Sequence, residues 1–284
     1  MTKAMRAVAL VLLAAAAACR SQPQVIRMAT TTSVENSGLL AAILPAFSAQ
    51  THVTVDVLAV GSGQALNLVQ RGDAAVALTH DPAREAAALT GRVITGYRKI
   101  MFNDFVIVGP PADPARIAQA LDAVDALTRI TSADAVFVSR GDSSGTHARE
   151  QELWALAKRR PAPHRLLETG QGMGGTLRVA NEKDAYTLSD RATFEQFRAS
   201  LRLTLLFEGG SSLLNTYAVF LRPGLTGADR AAAEALAGWL ADGAGRPLIA
   251  GYAINGRPAF HLWPSGTPRE SPADLPLPAV AHAR

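Results

Sequence analysis

Apolar and polar positions along the 284-residue chain alternate between two periods. Residues 25–29 form a short β-type run, and residues 37–49 place Leu40, Ile43, Leu44 and Phe47 at helical spacing. Residues 53–60 alternate as a strand. Residues 61–71 follow a glycine turn with a helical pattern that Gly72 stops. A buried-strand run at 74–78 and a short helix at 82–89, ended by Gly91, complete a βαβαβα series. That series predicts a mostly parallel sheet flanked by helices.

The middle of the chain repeats the theme less regularly. The apolar strand 105–108 ends at Gly109-Pro110-Pro111, and a helix-rich stretch leads to a strand at 135–138. A polar, glycine-containing turn at 139–145 then opens a helix at about 146–159. A Gly-rich loop at 170–175, a helix to Asn181, and strands near 186–188 and 201–207 follow. Residues 211–221 read as a returning strand, and 227–241 as an Ala-rich helix. No internal repeat of 20 to 50 residues stands out. The pattern predicts an α/β protein of two lobes, one from residues 25–104 plus 215–257 and the other from 105–214. A Pro-rich tail, 258–284, is expected to be extended or disordered.

The N-terminus supplies an address. Lys3 and Arg6 precede an apolar run, residues 7–18, too short to cross a bilayer, which needs about 20 residues, but suited to an export signal. The chain's one cysteine, Cys19, closes the run Ala16-Ala17-Ala18. This resembles a bacterial lipobox within a 1–19 signal segment, in which Cys19 is lipidated and becomes the first residue of the mature chain. The alternative is ordinary cleavage after Ala18. One cysteine excludes an intramolecular disulfide and any Cys-rich zinc module. The formal charge of +4 falls by two once Lys3 and Arg6 are gone, too small a surplus to imply a nucleic-acid surface.

Three hydroxyl-rich loops each follow a strand and precede a helix: Thr30 to Ser33, Gly61-Ser62-Gly63, and Ser139 to His147. A helix start leaves about four backbone N–H groups unpaired and carries roughly half a positive charge. Hydroxyls and glycines placed there suit an anion, although each loop alone reads as ordinary N-capping. Arg140 in the third loop offers a rigid fork for two oxygens of a tetrahedral oxyanion, and an ion pair with Asp142 is compatible with that task.

Other motifs compete. Residues 141–145 spell G-x-S-x-G after a strand and before a helix, so a serine hydrolase using Ser143 is an alternative. His147 is too near for the late histidine of that fold, leaving only His164, His261 and His282 downstream. Arg140-Gly141-Asp142 is also an integrin tripeptide, better explained as loop chemistry. Residues 170–175 lack the Lys-Ser/Thr ending of a P-loop, and His52, His80 and the other histidines show no metal-ligand spacing.

The segments ATTTSVENSGLL, GSGQAL, RGDAAVALTHDP, MFNDFVIVGPPADPA, FVSRGDSSGTHARE, GQGMGGTL, AYTLSDRATF and LLNTYAV together resemble the tungstate-binding proteins of bacterial ABC importers. The resemblance implies a periplasmic-binding-protein-like type II fold, two α/β lobes around a ligand cleft joined by a two-strand hinge. It implies no catalysis and no cofactor; the ligand would be tungstate or molybdate, delivered to an ABC permease. Carried over by motif, Thr31, Thr32 and Ser62 would come from one lobe, and Arg140, Ser144, Gly145 and Thr146 from the other. The implied protein is an exported monomer, periplasmic or lipid-anchored at the cell envelope. Phe102 and Thr79 depart from the tyrosine and valine expected there, and neither replaces a ligand. A phosphate or sulfate receptor is the alternative within the binding class. Tungstate and molybdate carry no proton at neutral pH and need only donors, whereas hydrogen phosphate favours a buried carboxylate acceptor. The position of that carboxylate in phosphate-binding relatives reads Ala77-Leu78-Thr79-His80 here, with Asp81 next to it.

Overall fold

The structure, a computed structural model, describes residues 24–142 and 144–272. Cys19, Ser143 and residues 273–284 lie outside the described residues. Among those described, the strands are β1 (Gln24–Thr31), β2 (Val53–Val60), β3 (Val76–Thr79), β4 (Thr95–Gly109), β5 (Phe137–Ser139), β6 (Leu166–Glu168), β7 (Thr187–Asp190), β8 (Thr204–Glu208), β9 (Leu214–Leu221), β10 (Ala253–Ile254), β11 (Arg257–Pro258) and β12 (His261–Leu262).

β1 lies between β2 and β3 and runs parallel to both, with Met28 opposite Val57 and Val76. β9 then pairs antiparallel with β3, and β4 antiparallel with β9, so the order along the first sheet is β12-β4-β9-β3-β1-β2. The expected parallel character therefore holds only for the first three strands; the returning strand β9 inserts between β3 and β4. β4 joins the two sheets: its Asp104 still pairs with Leu214, whereas Phe105 to Val108 pair with β7 and β8.

Period-two alternation distributes the core. Met28 faces one side of the first sheet and Ala29 the other, as do Val219 and Phe220, and each face has its own apolar cluster. The second sheet repeats this: Ile107 packs with Leu127, Phe137 and Trp154, and Val106 and Val108 pack with Met173, Leu177 and Phe194. Helix Ser62–Arg71 covers the first sheet with Ala65, Leu66 and Val69 and stops at Gly72, whose φ of 87° lies in the left-handed region. Helix Gly227–Ala241 buries Ala232, Ala233, Leu236, Ala237 and Leu240, the small residues allowing close approach to the sheet.

Three expectations change. The strand expected at 105–108 is the end of a 15-residue strand. Its first part was illegible because Arg98, Lys99, Asn103 and Asp104 interrupt the apolar run, yet Lys99 is buried with its ammonium over the Trp263 ring at 4.6 Å. Helices Arg191–Phe197 and Gly245–Gly251, seven residues each, add to the predicted elements. The tail is packed as far as it is described: β12 pairs with β4, and Phe260 and Trp263 are each 1% exposed. Beyond these aromatic anchors Pro264 opens a turn, its carbonyl accepting the Thr267 N–H at 3.3 Å.

Candidate functional site

Parallel strands deliver the loops that follow them to one edge of a sheet, and here β1, β2 and β3 bring Thr31, Ser62 and His80 to that edge. Helices begin at once: Thr32–Asn36 after β1, Ser62–Arg71 after β2, Pro82–Thr90 after β3. From the second sheet, the loop after β5 opens helix Gly145–Ala157 and the loop after β6 opens helix Met173–Glu182.

Arg140, 1% exposed, stands where the loop after β5 meets the loops after β1 and β6. Its Nε and Nη2 donate to Asp142 Oδ2 at 3.1 and 2.5 Å. Its Nη1 donates to Ser33 Oγ at 3.3 Å and its Nη2 to Thr32 Oγ1 at 3.2 Å, across to the loop after β1. The backbone beneath it is pinned by Gly170 N–H on the Arg140 carbonyl at 2.9 Å. Gly141 has φ 59°, and a Cβ there would lie 2.8 Å from Glu168 Cβ, so the turn that presents Arg140 requires glycine. Asp142 also accepts the Ser144 N–H at 3.0 Å.

Of the residues singled out in the sequence, Thr32 and Arg140 are in direct contact. Thr31 is 1% exposed and its Oγ1 accepts the Val34 N–H at 3.3 Å. Ser144 caps helix Gly145–Ala157, accepting the His147 N–H at 3.1 Å. Ser62 and Thr146, both fully buried, carry hydroxyls with no hydrogen-bond partner among the described residues. Gly145 packs on His80 from the other sheet's loop. Four neighbours were not singled out: Ser33, Gly172, Asp190 and Thr193. A Cβ on Gly172 would stand 3.4 Å from Thr32 Oγ1, and Thr193 Oγ1 donates to the Ser33 carbonyl at 3.3 Å. Ser33 lies within the first loop, Gly172 within the Gly-rich one, and Asp190 and Thr193 within the segment AYTLSDRATF, which carries the resemblance but no assigned ligand.

The carboxylates have defined tasks. Asp81 accepts the Arg84 N–H at 3.2 Å on Oδ1 and the Arg84 Nη1 at 2.8 Å on Oδ2, so both oxygens belong to the start of helix Pro82–Thr90. Glu85 accepts from Thr79 Oγ1, Asp81 N and Tyr97 OH, and burial nevertheless pushes its carboxyl up to about 7. Glu150 accepts from Ser139 Oγ at 2.9 Å and is raised to about 7 by burial as well. His147 Nδ1 accepts the Gly141 N–H at 3.2 Å, which commits that ring nitrogen to the loop. Among the described residues no group of three or more His, Cys, Asp or Glu is placed to hold a metal ion, and no helix is long and apolar enough to cross a membrane.

Two α/β sheets joined through β4, with a buried arginine of one reaching the helix start at Thr32 and Ser33 on the other, make up the architecture of a two-lobed solute receptor. The PBP superfamily domain matches residues 17–243. The tungstate-binding protein TupA of Peptoclostridium acidaminophilum is 40% identical over 196 residues, 68% of each chain. The tungstate ABC transporter structure from Geobacter sulfurreducens is 39% identical, with a TM-score of 0.73 over 80% of this chain and 98% of that one. The TupA structure from Desulfovibrio alaskensis G20 is 36% identical, with a TM-score of 0.71 over 84% and 98%. The chain belongs to the PBP superfamily and, within it, to the TupA family.

Proposed function

We propose that this protein is the solute-binding component of an ABC importer and captures tungstate, with molybdate as the competing ligand. The observation that carries the reading is Arg140, buried to 1% exposure and reaching from one lobe to the Thr32 and Ser33 hydroxyls of the other. A buried guanidinium among hydroxyls and helix N-termini is a donor-rich setting, suited to a tetrahedral anion that carries no proton. Thr31, Thr32 and Ser62 from the first lobe and Arg140, Ser144, Gly145 and Thr146 from the second form the ligand set in this reading. The unpartnered Ser62 and Thr146 hydroxyls support it. The engagement of Asp81 by Arg84 argues against Asp81 as the acceptor that hydrogen phosphate favours.

The lobes in this reading divide at residues 104/105 and 214/215, and they close on the anion because contacts from both sides exist only in the closed state. The closed protein then docks as a monomer on the permease subunits. Residues 1–19 direct export, and Cys19 carries a lipid anchor at the cell envelope. Labelled-lipid incorporation lost in Cys19→Ala would support the anchor, and an unlabelled wild-type chain would exclude it.

Calorimetric titration of the mature domain with tungstate, molybdate, sulfate and phosphate tests the central proposal. Tight tungstate binding, silence toward sulfate and phosphate, and loss of the heat in Arg140→Ala are expected. Phosphate binding at similar strength would overturn the tungstate reading, and unchanged affinity in Arg140→Ala would overturn the site.

A further inference from the structure

Asp190 ends β7 and caps helix Arg191–Phe197, its Oδ1 accepting the Thr193 N–H at 2.8 Å. The residue is fully buried, and its Oδ2 has no hydrogen-bond partner among the described residues. Thr193, which it caps, holds the Ser33 carbonyl, and Ser33 Oγ accepts from Arg140. Asp190 is thus one link behind the arginine at the heart of the candidate site.

The charges around it do not balance an ionised carboxylate. Arg140 already gives two N–H groups to Asp142, so that pair is close to neutral. On β4, Asp104 is taken by Arg191 at 2.6 Å, and Arg191 also meets Glu208. Glu195 on the helix pairs with Arg198, and Tyr217 faces from β9 as a neutral phenol whose pKa burial raises. A dianion entering this site would meet an ionised Asp190 as an uncompensated negative charge in a low-dielectric setting.

We propose that Asp190 carries a proton when the oxyanion is bound, so that capture of a fully ionised dianion is coupled to proton uptake from solvent at this residue. The inference rests on the reading of the site as an oxyanion receptor. Burial independently raises the Asp190 carboxyl above the usual carboxylate range; Arg140 and the nearby Thr193 and Ser33 hydroxyls pull the other way and do not prevail. Asp190 here is a positioning residue that sets the charge of the site; the ligand contacts belong to others. It would favour ligands that bring no proton of their own, because the proton that balances their charge sits on this carboxyl in the bound state.

The test is tungstate affinity against pH, from 7 to 9.5, for wild type and Asp190→Asn. Asparagine caps a helix as well as aspartate, so the variant is expected to fold, and its thermal midpoint checks this. Wild-type affinity should fall with pH, approaching tenfold per unit once the carboxyl ionises. Asp190→Asn should bind within about threefold of wild type at pH 7 and stay flat. Calorimetry in buffers of different ionisation enthalpy should show proton uptake for wild type in the upper range and none for the variant. The same pH slope in both proteins, or loss of binding in a folded Asp190→Asn, overturns the proposal alone. A wild-type protein that binds no tungstate at any pH overturns the receptor reading and this proposal with it.

Discussion

Gly145, the first residue of its helix, lies so close to His80 that a Cβ on it would stand 2.4 Å from the His80 carbonyl oxygen and 2.7 Å from Nδ1. This contact joins the loop after β3 to the helix after β5, so the two sheets meet at a point that admits no side chain. His80 is buried against Tyr217, with ring centroids 4.9 Å apart, and burial, aided by Arg140, lowers its pKa to about 3. The ring is therefore neutral at physiological pH, and charging it does not push the sheets apart.

Gly145→Ala should interfere with this approach while leaving each lobe's core intact. Tungstate affinity is expected to fall about tenfold or more, equivalent to roughly 1.4 kcal/mol, with little change in the thermal midpoint of the ligand-free protein. Differential scanning fluorimetry with and without tungstate checks this. Full ligand-induced stabilisation in the variant would show that the contact tolerates a methyl group.

Arg140→Lys keeps the charge and removes the fork. Arg140 Nη1 and Nη2 reach Ser33 and Thr32 while Nε and Nη2 hold Asp142, and one ammonium cannot reproduce that geometry. Loss of a charged hydrogen bond of about 1.5–3 kcal/mol predicts a decline in affinity of roughly ten- to 150-fold. Retention of wild-type affinity by the lysine variant would mean that charge alone suffices.

Glu85 predicts a pH-dependent stability. Its carboxyl rises from the ordinary 4.5 to about 7 in the folded protein, so between these values the folded state binds more protons than the unfolded state. Stability should therefore fall as pH rises through that window and level off above it. Glu85→Gln removes this contribution: urea unfolding should give near-wild-type stability at pH 5 and an excess on the order of 1–3 kcal/mol at pH 8. Glu150, raised for the same reason, leaves part of the slope in the variant. Equal stabilities at pH 8 would exclude the contribution of Glu85.

Phe260→Ala tests the packed role of the chain beyond residue 257. Phe260 meets Tyr217 edge-on at 5.4 Å, and nearby Trp263 donates its backbone N–H to the Ile100 carbonyl at 3.0 Å. Truncating a buried phenylalanine costs about 3–5 kcal/mol, a large share of a domain's stability. Denaturant unfolding should show a loss of unfolding free energy of that size. A loss below about 1 kcal/mol would place Phe260 among surface residues.

Much of the fold was legible because periodicity reports burial directly. Residues 53–60 and 227–241 coincide with β2 and with an α-helix, since each has one sustained face toward a sheet. The first part of β4 is not legible, because residues 99–103 are buried on both faces and need no alternation, and its charged residues find partners far along the chain: Asp104 in Arg191, Lys99 over Trp263. The short helix Arg191–Phe197 carries too few residues for a periodic signal.

The loops at which strands give way to helices, their hydroxyls and glycines, and the lone arginine in the third loop are legible residue by residue, because backbone capping and turn chemistry are local. Long-range packing is what sets Arg140 against Thr32 and Ser33, 108 and 107 positions away, Gly145 against His80, and Asp190 behind Ser33. Those relations depend on β4 passing from one sheet to the other and β9 returning. Strand pairing over such distances is set by the packing of whole lobes, and no short stretch of sequence encodes it.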